Sequence, residues 1–254
     1  MHDAGEKPKK KQGWIIGIFG ACLLLVLMVG CNLWVQSHPA DDAKQASVRP
    51  SATVTPSASP SPSVEAPVML ETVAAYYQEN PDTVGHLRVP NTGIDYPVVY
   101  SGDNAFYLTH DFNKDSSEYG AIFLDFRCSL EDLSKTRNNI IYGHRMKDGS
   151  MFKPLTHYQN AQFFYDNRII ELDTRYEELH WEVFAVFIAH VDFYYIDTYF
   201  PTDEKWLSFL AECQSRSMFE TDIELDAADI VLTLSTCAAK ENQRLVVMAR
   251  LIQD

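Results

Sequence analysis

The apolar residues of this chain are arranged in three ways. From Gly13 to Val35 they form one uncharged run, GWIIGIFGACLLLVLMVGCNLWV, and from about Ser37 to Pro67 large apolar residues almost disappear. Beyond that point they return as short runs rich in β-branched and aromatic residues, at about 85–89, 94–100, 121–125, 138–142, 168–172, 180–189, 229–235 and 244–252. Such runs, separated by Gly, Pro, Asn and Asp, predict strands. Eight short strands point to a mainly β fold closed into a barrel. VFAVFIA, Val183 to Ala189, is nearly continuous in apolar character and predicts a strand covered on both faces. Helical spacing occurs in two places. One helix is expected over Val68–Gln78, ahead of Asn80-Pro81. The other is expected from Asp203 to about Arg216, with Thr202 as N-cap, Asp203 and Glu204 in the first turn, and an apolar stripe of Trp206, Leu207, Phe209, Leu210 and Cys213.

The same pattern sets the domain organisation. Residues 1–12 carry Lys7, Lys9, Lys10 and Lys11, and residues 13–35 are long enough to cross a bilayer as a helix, for which about 20 apolar residues suffice. Lysines before a single span stay on the cytoplasmic side, so residues 36–254 are expected outside the cell, anchored to the membrane by the N-terminal helix in a type II arrangement. A cleaved signal peptide fits less well, because the apolar stretch exceeds a usual signal core and no small-x-small site follows it. Met28-Val29-Gly30-Cys31 only loosely imitates a lipidated cysteine site, since methionine fits poorly at its first place. Residues 36–67, with RPSATVTPSASPSPSVEAP, have too little to bury and are expected to be a disordered linker, reaching about 3 Å per residue if extended. Residues 68–254 hold every predicted strand and form the candidate catalytic domain.

Composition narrows the function. The net charge is −14, from 21 basic and 35 acidic residues, and it is more negative once the lysine-bearing first eleven residues are set aside. An acidic surface is a poor partner for nucleic acid, and solubility accounts for it. No internal repeat and no phosphate-binding glycine loop is present. Of the five cysteines, Cys22 and Cys31 fall in the apolar run, while Cys128, Cys213 and Cys237 fall beyond it. A bridge between Cys128 and Cys213 would leave Cys237 free, although the position of Cys213 on an apolar helix face favours simple packing. No Cys-x-x-Cys and no close histidine pair calls for a metal, and no cofactor is implied.

Cys237 ends the run DIVLTLSTC, seven residues before Arg244 and far downstream of Tyr142-Gly143-His144. A thiol attacks a carbonyl well only as the thiolate, so Cys237 needs a base or an ion-pair partner. His144 can take the thiol proton and later return one to a leaving amine. Arg244, permanently charged and rich in donors, suits the oxyanion of a tetrahedral intermediate. An isolated strand-end cysteine is usually a buried small hydrophobe, and Arg250 illustrates that a strand arginine can be an edge charge. Ser235, two residues before Cys237 on a strand, shares its face and is a candidate substrate contact, with Thr236 a weaker one.

These residues carry a family resemblance. TLSTC followed by the arginine-led strand RLVVMARL resembles the active-site signature of sortases, and NNIIYGHRMKDGSMFKPL, Asn138 to Leu155, resembles the histidine segment of the class B branch. GHLRVPNTGIDYPVVY, YLTHDF and GAIFLDFR extend the similarity from about Thr83 to Ile252. The stretch from Cys237 to Arg244 is a few residues shorter than is usual in that branch, which clips the loop between the last two strands. The resemblance implies an eight-stranded sortase-type barrel with peripheral helices, one N-terminal and one in the connection before the cysteine strand, where it helps to shape the recognition groove. It sets His144 apart from His86, His110, His157, His180 and His190, and it adds Asp95, within the Ile94–Val98 region, as a substrate contact. The implied activity is cysteine transpeptidation on secreted surface proteins bearing a C-terminal sorting motif, related to Asn-Pro-x-Thr-x or a Pro-x-Thr-Gly variant. The acceptor would be an amine of a peptidoglycan precursor. A pilin polymerase using a pilin lysine, and a non-catalytic wall-binding module, are the alternatives.

Overall fold

The computed structural model describes residues 67–190, 193–237 and 243–253, with the backbone alone at Cys237. The basic tail, the apolar run, the linker up to residue 66, Cys31 and the loop of residues 238–242 lie outside the described residues. Among the described residues no helix is long and apolar enough to cross a membrane.

The eight expected strands form, each within a few residues of its predicted position. Helix α1 (Glu71–Glu79) leads into β1 (Thr83–Val89) and β2 (Ile94–Val99), followed by the one-turn α2 (Phe106–Thr109), β3 (Ile122–Leu124) and β4 (Asn138–Tyr142). A 3-10 segment, Lys153–Gln159, and α3 (Ala161–Asp166) then precede β5 (Ile169–Thr174) and β6 (Glu178–His190). Helix α4 (Asp203–Ser215), β7 (Val231–Cys237) and β8 (Gln243–Leu251) complete the chain. The strands close into a barrel in the order β1-β2-β3-β4-β7-β8-β6-β5. The β2–β3 and β4–β7 pairs are parallel and the rest antiparallel. Closure leaves no unpaired sheet edge.

Period-2 alternation divides each strand between the barrel interior and its outer surface. Leu87, Val98, Ile140, Val183, Val186, Leu234 and Val247 belong to the main interior cluster, together with Leu155 and Tyr158 of the 3-10 segment and Phe152 just before it. A second cluster covers the outside of β6, β7 and β8: Phe184, Phe187, Val231, Val246 and Met248 meet Trp206, Leu210 and Cys213 of α4. Strand β6 is therefore buried on both faces, as VFAVFIA predicts, and a register shift between Val183 and Ala185 adjusts which residues face which side. Helix α4 starts where its cap predicts, with Thr202 Oγ1 accepting from Lys205 N at 3.4 Å. Trp206 is fully buried and stacks on Phe209, so these two residues fasten the helix to the barrel.

Cys128 and Cys213 are both free and buried, and no bridge joins them. Burial pushes the Cys128 thiol up to about 11 and the Cys213 thiol up to about 12, so neither forms a thiolate near neutrality.

Candidate active site

Strand register brings the distant parts of the site together. Strands β4 and β7 run parallel with Tyr142 opposite Ser235, so the residues that follow each partner leave the barrel at the same rim. Gly143 N donates to Ser235 O at 3.3 Å and continues the pairing one step past β4, bringing His144 beside the Thr236-Cys237 end of β7. On the other side of β7, Cys237 is the Cα partner of Arg244. A parallel neighbour and an antiparallel neighbour thus deliver an imidazole and a guanidinium to either side of one strand end.

The histidine is held locally. Phe152 N donates to His144 O at 2.8 Å, and an isolated bridge between Arg145 and Met151 closes the turn that follows. Gly143 has no room for a side chain, because a Cβ there would lie 2.5 Å from Ile122 Cδ1 and 2.7 Å from the Phe152 ring. The His144 ring is aimed by its Nε2, which lies 2.8 Å from Leu108 O. A carbonyl only accepts, so Nε2 carries the hydrogen and the neutral ring offers Nδ1 as its basic nitrogen. Gly120, at φ +59°, lies under this ring, where an added Cβ would come within 3.0 Å of His144 Cδ2.

His144, Arg244, Ser235 and Thr236 line one cleft of about 310 Å³, together with Asn104, Leu108, Phe123, Tyr142, Gly143, Tyr195 and Ile196. Ser235 is almost fully buried and its Oγ lies 2.7 Å from Tyr195 Oη, so its hydroxyl is engaged with the cleft wall. Arg244 donates from Nη1 to Gln243 O at 3.0 Å. Tyr195 and Ile196 come from the β6–α4 connection, which overhangs this rim. Its backbone is anchored by Asn138, whose Nδ2 donates to Tyr195 O at 3.1 Å and to Asp197 O at 2.9 Å.

Asp95 is not brought to the cleft. Its carboxylate sits 2.7 Å from His86 Nε2, and the His86 ring stacks on Tyr76 of α1, so the pair ties the N-terminal helix to the β1–β2 hairpin. Asn104, Tyr142 and Tyr195 were not singled out by sequence reasoning. Tyr142 had a signal, as the last residue before Gly143-His144, whereas nothing local marks Asn104 or Tyr195 as cleft residues. Among the described residues no group of three or more His, Cys, Asp or Glu side chains could hold a metal ion.

Comparison with known proteins gives one family. The sortase domain profile matches residues 87–252. Sortase B of Listeria monocytogenes is 31% identical over 241 residues, covering 92% of this chain and 94% of its own length. A Bacillus anthracis structure described as similar to sortase B superposes with a TM-score of 0.66 at 40% identity, covering 71% of this chain and 82% of that one. The Staphylococcus aureus sortase B–substrate complex superposes with a TM-score of 0.68 at 33% identity, over 73% of this chain and 87% of that one.

Proposed function

The chain belongs to the sortase family of cysteine transpeptidases, and we propose that Cys237, His144 and Arg244 carry the reaction, in the following roles. His144 takes the thiol proton of Cys237, the thiolate attacks a backbone carbonyl of a sorting motif, and the electron pair pushed onto oxygen is met by the Arg244 guanidinium. Collapse of the tetrahedral intermediate expels the amine of the downstream residue, which takes a proton from His144 and leaves a thioester on Cys237. An acceptor amine then attacks the thioester, His144 takes its proton, and Cys237 departs as the thiolate, so that the cycle ends with the proton on His144, where it stood when the thiolate attacked. The observation that supports these roles is the register itself: Cys237 is paired with Arg244, while the parallel β4–β7 pair brings His144 to the same cleft.

The substrate is a short motif near the C-terminus of a secreted surface protein, related to Asn-Pro-x-Thr-x or a Pro-x-Thr-Gly variant. The S. aureus relative has been captured with a substrate, which supports a peptide in this cleft. The acceptor is an amine of a peptidoglycan precursor, with Ser235 and Thr236 lining the path of the peptide. The enzyme acts outside the cell, held at the membrane by residues 13–35 with residues 36–67 as spacer.

Residues 68–254 contain the closed barrel and its whole core and serve for the test. The protein and Cys237→Ala are incubated with quenched fluorescent peptides of several sorting motifs, with and without a glycine-type or diaminoacid amine, and products are weighed. Cys237-dependent cleavage with an amine-joined product is expected. Amine joining that survives Cys237→Ala, or no processing of any motif, contradicts the assignment.

A further inference from the structure

Beneath the cleft lies a carboxylate that the reaction itself does not use. Asp125 follows β3 directly and is fully buried, with its backbone N donating to Ile140 O at 2.9 Å and so prolonging the β3–β4 ladder. Its Oδ1 accepts from Arg127 N at 3.0 Å and from Arg127 Nε at 2.8 Å. Its Oδ2 accepts from Arg127 Nη2 at 2.8 Å, from Asn104 Nδ2 at 2.9 Å and from Tyr142 Oη at 2.9 Å. Asn104 is fixed at its other end as well, where Oδ1 accepts from Phe126 N at 3.0 Å. Arg127 carries the network on, donating from Nη1 to Tyr194 Oη at 3.1 Å.

Two of these partners, Asn104 and Tyr142, line the cleft, and Tyr194 directly precedes Tyr195 and Ile196, which line its other side. Asp125 itself does not reach the cleft. We propose that Asp125 is a positioning residue for the acyl transfer, holding Asn104 and Tyr142 against one wall and, through Arg127 and Tyr194, steadying the β6–α4 connection that forms the other. This inference rests on the cleft being the peptide site. Only a carboxylate serves here, because every group facing it is a donor and an amide would turn its own NH2 toward one of them. Burial disfavours the charge, but hydrogen bonds from Arg127, Asn104 and Tyr142 outweigh it and hold the carboxyl below the usual carboxylate range. A buried ion pair with satisfied lone pairs is a device for fixing geometry more than for adding stability.

The test compares wild type, Asp125→Asn and Tyr142→Phe in the 68–254 domain. It reads kcat and KM for the best sorting peptide, the rate of Cys237 alkylation by iodoacetamide, and the melting temperature. Misplacement of a binding wall raises KM while leaving a small reagent's access to the thiol unchanged. Asp125→Asn is expected to raise KM about tenfold and Tyr142→Phe about threefold, with alkylation within about twofold of wild type. A purely structural role would lower the melting temperature and leave KM unaltered below it. A folded Asp125→Asn with wild-type KM overturns the inference, as does a loss confined to kcat and alkylation. Should Asp125→Asn fail to fold, a wild-type KM in Tyr142→Phe overturns it and a raised KM supports it. A wild type that processes no peptide overturns the reading of the cleft and this inference together, whereas an active wild type with an equally active Asp125→Asn overturns this inference alone.

Discussion

The smallest side chain near the site imposes one of its strictest demands. Gly120 adopts φ +59°, and a Cβ there would meet Tyr107 O at 2.5 Å as well as His144 Cδ2 at 3.0 Å. Alanine would add backbone strain of about 1–3 kcal/mol and press on the imidazole. Gly120→Ala is therefore expected to lose at least about tenfold in kcat/KM, more than its fall in melting temperature explains, because a displaced general acid loses alignment with the leaving amine. Gly93 is the control, since a Cβ there meets nothing within 4 Å, and Gly93→Ala should retain wild-type kinetics. Peptide kinetics and melting curves on both variants check the contrast, and equal behaviour of the two would contradict it. At this scale sequence reasoning singled out Cys237, His144 and Arg244 for their chemistry, and the fold brings these three positions to the rim where β4, β7 and β8 meet. It placed Asp95 in the groove, whereas Asp95 is paired with His86 and does not line the cleft. Asp125 escaped notice because its importance lies in partners from residues 104, 127 and 142, a convergence that only the closed barrel creates.

Among the elements, α4 shows most clearly how local pattern and tertiary packing agree. Its apolar stripe, its Thr202 cap and the two-faced apolar run of β6 are readable one by one, and each predicts the other's partner. Trp206 is the centre of that contact, fully buried, stacked on Phe209 and tilted against Phe200, and donating from Nε1 to Asp229 O at 3.2 Å. Trp206→Ala should cost about 3–5 kcal/mol in urea unfolding, the range for truncating a buried aromatic. A loss under about 1 kcal/mol would mean that the helix is not docked as described. Less legible were the 3-10 segment Lys153–Gln159 and the short helices α2 and α3. Segments of four to seven residues carry too few turns to show a helical period, and what each buries is decided by tertiary packing: Leu155 and Tyr158 of the 3-10 segment and Phe164 of α3 in the main cluster, Tyr107 of α2 in a separate one with Val99 and Phe123.

The molecule as a whole combines a closed barrel with an acidic surface, and its carboxylates make its stability depend on pH. Asp125 and Asp82 both ionise more readily in the folded protein than alone. In each, burial works against the charge and is outweighed, for Asp125 by Arg127 and for Asp82 by Lys114 and Tyr107. A lowered folded pKa means that the unfolded chain binds more protons, so the stabilisation is complete above the ordinary aspartate value of about 4 and is lost as pH falls below it. Urea unfolding midpoints of the 68–254 domain should fall as pH drops below about 4, and Asp125→Asn should flatten that dependence. An unchanged slope in the variant would contradict a buried, ionised Asp125. The barrel, the order of its strands and the chemistry at its rim nevertheless converge on a single claim, that acyl transfer proceeds through a thioester on Cys237. Its most direct test is to mix the 68–254 domain with a sorting peptide in the absence of added amine, quench in acid, digest, and weigh the fragment that contains Cys237. The account predicts that this fragment gains the mass of the acyl half of the peptide and loses it on treatment with hydroxylamine. Turnover of the peptide with no adduct on that fragment, or with the adduct on another residue, would contradict it.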